Sequence, residues 1–409
     1  MNLVVVAPHF APDLAPTGEI ITRIVHELAE RSHSIEVITA YPWYRDHRIE
    51  APWGGRLVRH EDTPWGRITR VHPFPTGDKL SLVKRAAGFA GFSALAALLG
   101  AKGARADGVL ALSPPLTLGL TGWTVARARS CPFVFTIHDV YPDVAVELGV
   151  LSDKRLIGLA RILESFCYDR ADAVTVLSDE LRANVARKTK SPGKVRTIPN
   201  FVDTDWIVPA PRANAYRQEF GLDDKTVVMY AGNVGLSQSL DLLIEAAGAL
   251  AHEPHLAFVI NGQGAARPEL ERRARGLANV KFVDMQPAAR LPEVLAAADI
   301  HVVPLKRGLA RSSVPSKTYS ILASGRALLA SVDTDSEVTR IVHRSQGGVA
   351  VPPEDAEAFT KALQSMLDSP DETRRMGQGG RAYAERAASP AAVAAAYEAL
   401  FQELGDLRE

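Results

Sequence analysis

The stretch Ser312-Ser313-Val314-Pro315-Ser316-Lys317, which runs directly into Thr318-Tyr319-Ser320-Ile321-Leu322-Ala323-Ser324-Gly325, carries the strongest chemical signal in the chain. Proline is favoured at the first position of a helix, where a missing N–H costs nothing, and serines favour the capping position before it. A helix is therefore expected to begin around residues 314–316, with Lys317 in its first turn. The helix dipole is positive at that end and disfavours a cation by about 0.3–1 kcal/mol. A bound anion reverses the sign: free N–H groups, hydroxyls and an ammonium then converge on one phosphate-sized charge. The competing reading is a solvated lysine at an ordinary helix start.

Strand-to-helix turns are the usual phosphate sites of α/β domains, and three others have suitable residues. The first runs from Pro8 to Glu19, stiffened by Pro8, Pro12 and Pro16. Gly18, at the start of the following helix, would let a ligand approach backbone amides; a helix-start glycine with no ligand is the equal alternative. The second is Gly232-Asn233-Val234-Gly235-Leu236-Ser237, and the third is Gly262-Gln263-Gly264, where Arg267 stands in place of a third glycine. A dinucleotide fingerprint therefore fails in both halves, which weakens a dehydrogenase reading. His138-Asp139 ends an apolar run, and a histidine at the carboxyl end of a buried strand faces the ligand crevice, able to donate a hydrogen bond or take a proton. The alternative is a histidine satisfied by local backbone. The chain has no HExxH or GxSxG pattern, so these motifs support neither a metal site nor a serine nucleophile.

The elements that must position these residues repeat one grammar. In the first half, apolar strands at 3–7, 35–39, 108–112, 133–137 and 173–177 alternate with helices at 20–31, 116–128 and 156–170. In the second, strands at 227–231, 255–261, 280–283, 300–304 and 327–331 alternate with helices at 240–250, 267–275 and 291–298. Strands without polar alternation, separated by helices, mean parallel sheets covered on both faces. Pro199-Asn200-Phe201-Val202-Asp203 and the segment through Pro209 and Pro211 read as the linker. Two doubly wound α/β domains follow, and the space between their strand ends is the default ligand site.

Composition agrees with this frame. At 409 residues, two domains of about 200 residues each are expected. Lys+Arg and Asp+Glu are both 47, so no net field draws the chain to nucleic acid. Cys131 and Cys167 form no metal spacing and read as small buried hydrophobes in a reducing compartment. The start Met1-Asn2-Leu3-Val4-Val5-Val6-Ala7 lacks a basic leader and reads as a buried strand. The apolar run 86–99, flanked by Lys79, Lys84, Arg85, Lys102 and Arg105, is too short to cross a bilayer. It reads first as a core helix, with a helix lying on an anionic membrane surface as the alternative.

Taken in order, these motifs resemble the family 4 glycosyltransferases of the two-domain GT-B fold, and within them the WbuB-type enzymes of surface polysaccharide assembly. The marks are Pro16-Thr17-Gly18-Glu19, Glu27-Leu28-Ala29-Glu30-Arg31, Ile35-Glu36-Val37-Ile38-Thr39 and His138-Asp139-Val140-Tyr141-Pro142-Asp143. They continue with Arg170-Ala171-Asp172-Ala173-Val174-Thr175-Val176-Leu177-Ser178, Ile198-Pro199-Asn200-Phe201-Val202-Asp203, Tyr230-Ala231-Gly232-Asn233, Val314-Pro315-Ser316-Lys317-Thr318-Tyr319 and Leu322-Ala323-Ser324-Gly325-Arg326. The resemblance implies two Rossmann-like domains facing each other across a cleft: residues 1–205 for the acceptor, 206–385 for the nucleotide sugar, and a helix within 386–409 crossing back to the first domain. It implies transfer of a sugar from a nucleotide-diphosphate-sugar to a hydroxyl, with retention of configuration and no metal or other cofactor. Gly18 then matches the loop that meets the diphosphate and His138 the histidine near the transferred sugar, so His138 and Lys317 are the expected catalytic residues. Gly18, Gly232, Asn233, Gly262, Ser316, Lys317 and Ser320 are the expected donor contacts.

The chain also departs from the family. Where many members carry two glutamates eight positions apart, it has Ser312 and Ser320, and the usual basic pair after the first strand of the second domain is replaced by Asn233 and uncharged residues near Gln238. Lys317 is left to supply the cationic contact. The expected partners are a nucleotide-sugar donor and a saccharide or lipid-linked acceptor, with no nucleic acid, in the cytoplasm or at the inner membrane face. A nucleotide-sugar 2-epimerase of the same fold and a non-catalytic nucleotide-sugar binding protein are the competing readings.

Overall fold

Runs of β-branched and leucine side chains form strands buried on both faces, and the chain divides into two compact units, Met1–Pro199 with Val393–Glu409, and Asn200–Ala392. The computed structural model describes residues 1–13, 15–45, 48–51, 53–75, 82–147, 151–308 and 315–408, giving the backbone alone for 82–86 and 147.

The sheet of the first unit contains β1 (Asn2–Val6), β2 (Ser34–Ala40), β3 (Val58–Thr63), β4 (Gly66–Val71), β5 (Gly108–Ser113), β6 (Phe133–Ile137), β7 (Ala173–Val176) and β8 (Val195–Thr197). Their order is β3-β4-β2-β1-β5-β6-β7-β8. Every residue of β5 and β6 is buried, as strands between two helix layers must be. All neighbouring pairs are parallel except β3 with β4. That antiparallel edge corrects the expectation of a purely parallel sheet. Its outer strand, Val-Arg-His-Glu-Asp-Thr, is polar and largely exposed. The hairpin also carries a buried charge: Arg70, 2% exposed, donates to Glu61 at 3.0 Å and to the Ala11 carbonyl at 2.5 Å. It thereby braces the proline-rich loop after β1.

Helix Leu118–Arg129 packs on β5, on helix Leu82–Gly100 and on helix Lys154–Arg170. The last of these is capped by Asp153, whose carboxylate accepts from the amides of Arg155 and Leu156 at 2.8 and 3.1 Å. Both cysteines are buried, and burial pushes the Cys131 thiol up to about 11 and the Cys167 thiol up to about 12, so neither is a nucleophile at neutral pH. The final helix, Pro390–Asp406, passes from the second unit to the first at Val393. There the Tyr397 hydroxyl lies 3.1 Å from that of Thr136 on β6.

The second sheet contains β9 (Thr226–Ala231), β10 (Leu256–Asn261), β11 (Val280–Val283), β12 (Ile300–Pro304), β13 (Ala327–Ser331) and β14 (Gly348–Val351). Its order is β11-β10-β9-β12-β13-β14, with every pair parallel. Alternate residues of β9 enter different cores: Val227 and Met229 pack with Tyr216 and Val259, while Val228 and Tyr230 pack with Phe258 and Ile260. The order reverses between β9 and β12. In an open α/β sheet the loops at that reversal leave a crevice beyond the carboxyl ends of the strands.

Candidate functional site

Lys317 sits at this reversal point. It is the first residue of the short helix Lys317–Ala323 that follows β12, with Ser316 at the cap making no side-chain capping bond. The expected helix start is therefore found, while Ser312 lies outside the described residues. The Lys317 side chain reaches the end of β9, where its Nζ donates to the Tyr230 hydroxyl at 2.6 Å and lies 4.1 Å from the ring centroid. The same hydroxyl donates to the Asn233 carbonyl at 2.5 Å, so Tyr230 orients the ammonium and pins the turn after β9.

The electrostatics are one-sided. Among the described residues no carboxylate pairs with Lys317, and burial pushes its pKa down to about 8. Burial pushes the Tyr230 phenol up, which keeps it a neutral partner. A half-buried lysine in the first turn of a helix, offered only a phenol, is a charge without a counter-charge.

Glycines allow the turns to close around it. Gly232 has φ +141°, which favours glycine, and a Cβ there would lie 3.1 Å from the Lys317 Nζ. Gly262 is buried against Gly232, whose carbonyl oxygen fills the place a side chain would take. The Val234 amide donates to Gln263 at 2.8 Å, and Ala266 donates back to Val234 at 3.0 Å. The Lys306 amide donates to the Ser237 carbonyl at 3.1 Å, joining the turns after β9 and β12. Arg267 donates to the Gly262 carbonyl at 2.8 Å and so braces the turn after β10. Gly232, Asn233, Gly262 and Lys317 are thus brought together, with Asn233 and Ser316 exposed and Ser320 one helical turn beyond Lys317.

In the first unit, Pro16 opens helix Pro16–Glu30, and its cap, Ala15, offers no side-chain acceptor to the first-turn amides. Gly18 is buried; a Cβ there would lie 2.9 Å from the His9 Cβ, so its bareness also lets the proline-rich loop close on the helix. Within that loop His9 Nδ1 and Asp13 Oδ2 are 2.6 Å apart, and the His9 ring stacks on Trp43. His138 follows β6 directly, its amide donating to the Ser113 carbonyl at 3.3 Å. Its ring has no hydrogen-bond partner among the described residues, and desolvation pushes its pKa down to about 4, leaving a neutral imidazole.

Neither Tyr230 nor His9 is given a task by the sequence alone. A tyrosine one position before the end of an all-apolar strand was the available signal for the first, and a histidine four residues before an aspartate in a stiff loop for the second.

Comparison with known proteins covers both units. Residues 17–200 match the model of a glycosyl transferase 4-like domain, and residues 225–369 match that of glycosyl transferases group 1. The putative colanic acid biosynthesis glycosyl transferase WcaI of Escherichia coli is 28% identical over 400 residues, covering 94% of this chain and 96% of that one. The probable glycosyltransferase WbjE of Pseudomonas aeruginosa is 29% identical over 268 residues, 64% of this chain and 67% of that one. An α,α-trehalose-phosphate synthase (UDP-forming) from Burkholderia vietnamiensis superposes with a TM-score of 0.69 at 14% identity, over 100% of this chain and 98% of that one. With both halves matched in order and one architecture shared over the whole length, the chain belongs to the family 4 glycosyltransferases and has their GT-B fold.

Proposed function

We propose that this glycosyltransferase moves a sugar from a nucleoside-diphosphate sugar to a hydroxyl of a lipid-linked or cell-envelope glycan precursor, in the cytoplasm, with retention of configuration and without a metal. The observation that carries the donor assignment is Lys317, a desolvated cation with no carboxylate partner among the described residues, held by Tyr230 beside the bare backbone of Gly232 and Gly262. A diphosphate supplies the missing counter-charge. In the transfer, the bond between the sugar C1 and the diphosphate oxygen breaks and its electron pair goes to that oxygen. The acceptor hydroxyl bonds to C1 on the same face and passes its proton to the departing phosphate. Lys317 and the backbone amides at the turn stabilise the negative charge as it develops, which is where fixed donors contribute most. The neutral ring of His138 donates to a sugar hydroxyl or to the departing phosphate. A relative named for colanic acid biosynthesis supports an envelope precursor as the acceptor class. A thermal-shift screen of nucleoside diphosphates, followed by turnover with the stabilising nucleotide's sugars, tests the reading. Lys317→Ala should retain the fold, lose the nucleotide shift and reduce turnover at least tenfold by about the value of one lost charge-assisted contact. Undiminished turnover in the folded variant removes Lys317 from the site.

A further inference from the structure

Helix Lys154–Arg170 has an outer face that its own packing leaves bare. Leu156, Leu159 and Ile162, spaced by three, are 49%, 63% and 68% exposed. The opposite side holds the helix in place through buried Glu164, Cys167 and Tyr168. Glu164 is committed to Lys188 at 2.8 Å and Asp169 to Thr189 at 2.9 Å, while Asp153 caps the helix start. Lys154, Arg155 and Arg161 are exposed around the apolar row and form no ion pair among the described residues. At the far end, exposed Arg170 lies over the rings of Trp123 and Phe166 at 5.4 and 5.1 Å.

A row of large apolar side chains framed by cations, with every carboxylate of the helix already engaged, complements a surface that is apolar beneath and anionic above. We propose that this face docks the first domain on an anionic lipid bilayer. Helix Leu82–Gly100 is the weaker candidate. Phe92, Ser93 and Ala96 are buried, Ser93 and Thr117 share a hydrogen bond of 2.7 Å, and among the described side chains the outward row of Ala87, Ala90 and Ala94 adds only Leu98 as a large one.

The test is co-flotation of the full chain with phosphatidylcholine vesicles, with and without phosphatidylglycerol. Binding is expected only with the anionic lipid and should weaken as salt is raised. Two variants separate the two parts of the face: Leu156→Ser with Leu159→Ser and Ile162→Ser, and Lys154→Glu with Arg155→Glu and Arg161→Glu. Each should lower vesicle affinity at least tenfold while leaving the melting temperature and the nucleotide-induced thermal shift unchanged. No flotation, equal binding to neutral lipid, or binding that survives both variants overturns the proposal. So does self-association of the native chain that the serine variant abolishes, since the face would then belong to a protein contact. The nucleotide shift reads the donor site independently, so failure of docking and failure of the transfer reading are told apart.

Discussion

Lys317 and His138 are both desolvated and respond to pH in the same sense: the fold gains stability as each loses its proton, Lys317 between about pH 8 and 10.5 and His138 between about pH 4 and 6.5. The ammonium of Lys317 is held at a pKa of about 8 against an ordinary 10.5, so its charge costs the folded state up to about 3 kcal/mol while it is protonated in both states. That cost is full below pH 8 and fades as pH rises toward 10.5. Lys317→Met should therefore stabilise the ligand-free protein at pH 7, the gain should vanish near pH 10, and nucleotide binding should be lost; denaturant midpoints at the two pH values check it. A variant less stable than the native chain at pH 7 would mean that the ammonium has a counter-charge after all. For His138 the folded pKa of about 4 lies below the ordinary 6.5, so the unfolded chain binds more protons between those values. Stability is complete above pH 6.5 and falls as pH drops toward 4, a window shared with the buried His301, which is also pushed down to about 4. A donor acting mainly in the transition state should, when removed in His138→Ala, reduce kcat and kcat/KM together by about 10²–10³. The native rate should show no inflection between pH 5 and 8 from this group. A rise in KM alone would make His138 a ground-state contact, and a fall in melting temperature alone a packing residue.

At the scale of elements, the turn after β9 is the part on which the site depends. A Cβ on Gly232 would crowd the Lys317 Nζ, and φ +141° is strained for any other residue by roughly 1–3 kcal/mol. Gly232→Ala should lower both the melting temperature and nucleotide affinity, whereas Gly248→Ala, on an open helix surface, should raise the melting temperature slightly and leave nucleotide affinity unchanged. Equal effects at the two positions would detach the turn from ligand binding. The strands bearing these turns were legible in the sequence because β9 and β10 each contain five consecutive apolar residues with no polar alternation to blur their ends. The hairpin of β3 and β4 was not. Arg59, His60, Glu61 and Asp62 give it no apolar pattern, and its stability comes from pairing along a sheet edge. Nor was the contact between Lys317 and Tyr230 legible, since it joins residues 87 apart that only the switch in strand order brings together. The helix start, the glycines and the lysine could be read singly. Their convergence is a property of topology.

At the scale of the molecule, the first unit is completed by the last part of the chain. Val393, Tyr397, Leu400 and Phe401 are 2%, 2%, 6% and 1% exposed in contact with it. Gly108 at the start of β5 lacks the side chain that would occupy the place of the Phe401 ring. Glu398 pairs with His33 at 3.0 Å and with Arg31, and Arg408 pairs with Asp172 at 3.0 Å. Burying each large apolar side chain contributes about 1.5–3 kcal/mol. Four of them approach the roughly 5–15 kcal/mol by which a typical domain is stable. Ending the chain at Ala392 should consequently unfold the first unit and leave the second folded. Hydrogen exchange reads the two sheets separately: amides of β5, β6 and β7 should lose protection, while those of β9, β10 and β12 keep it. Tyr397→Phe is the milder probe, removing only the hydroxyl that meets Thr136 and Thr175 at 3.1 and 3.4 Å, and should cost about 1–2 kcal/mol in the same unit. If truncation left β5–β7 protected, the final helix would be an accessory to a domain already stable without it. If it exposed both sheets equally, the two units would unfold as one, and nucleotide binding to the second could not be separated from the integrity of the first.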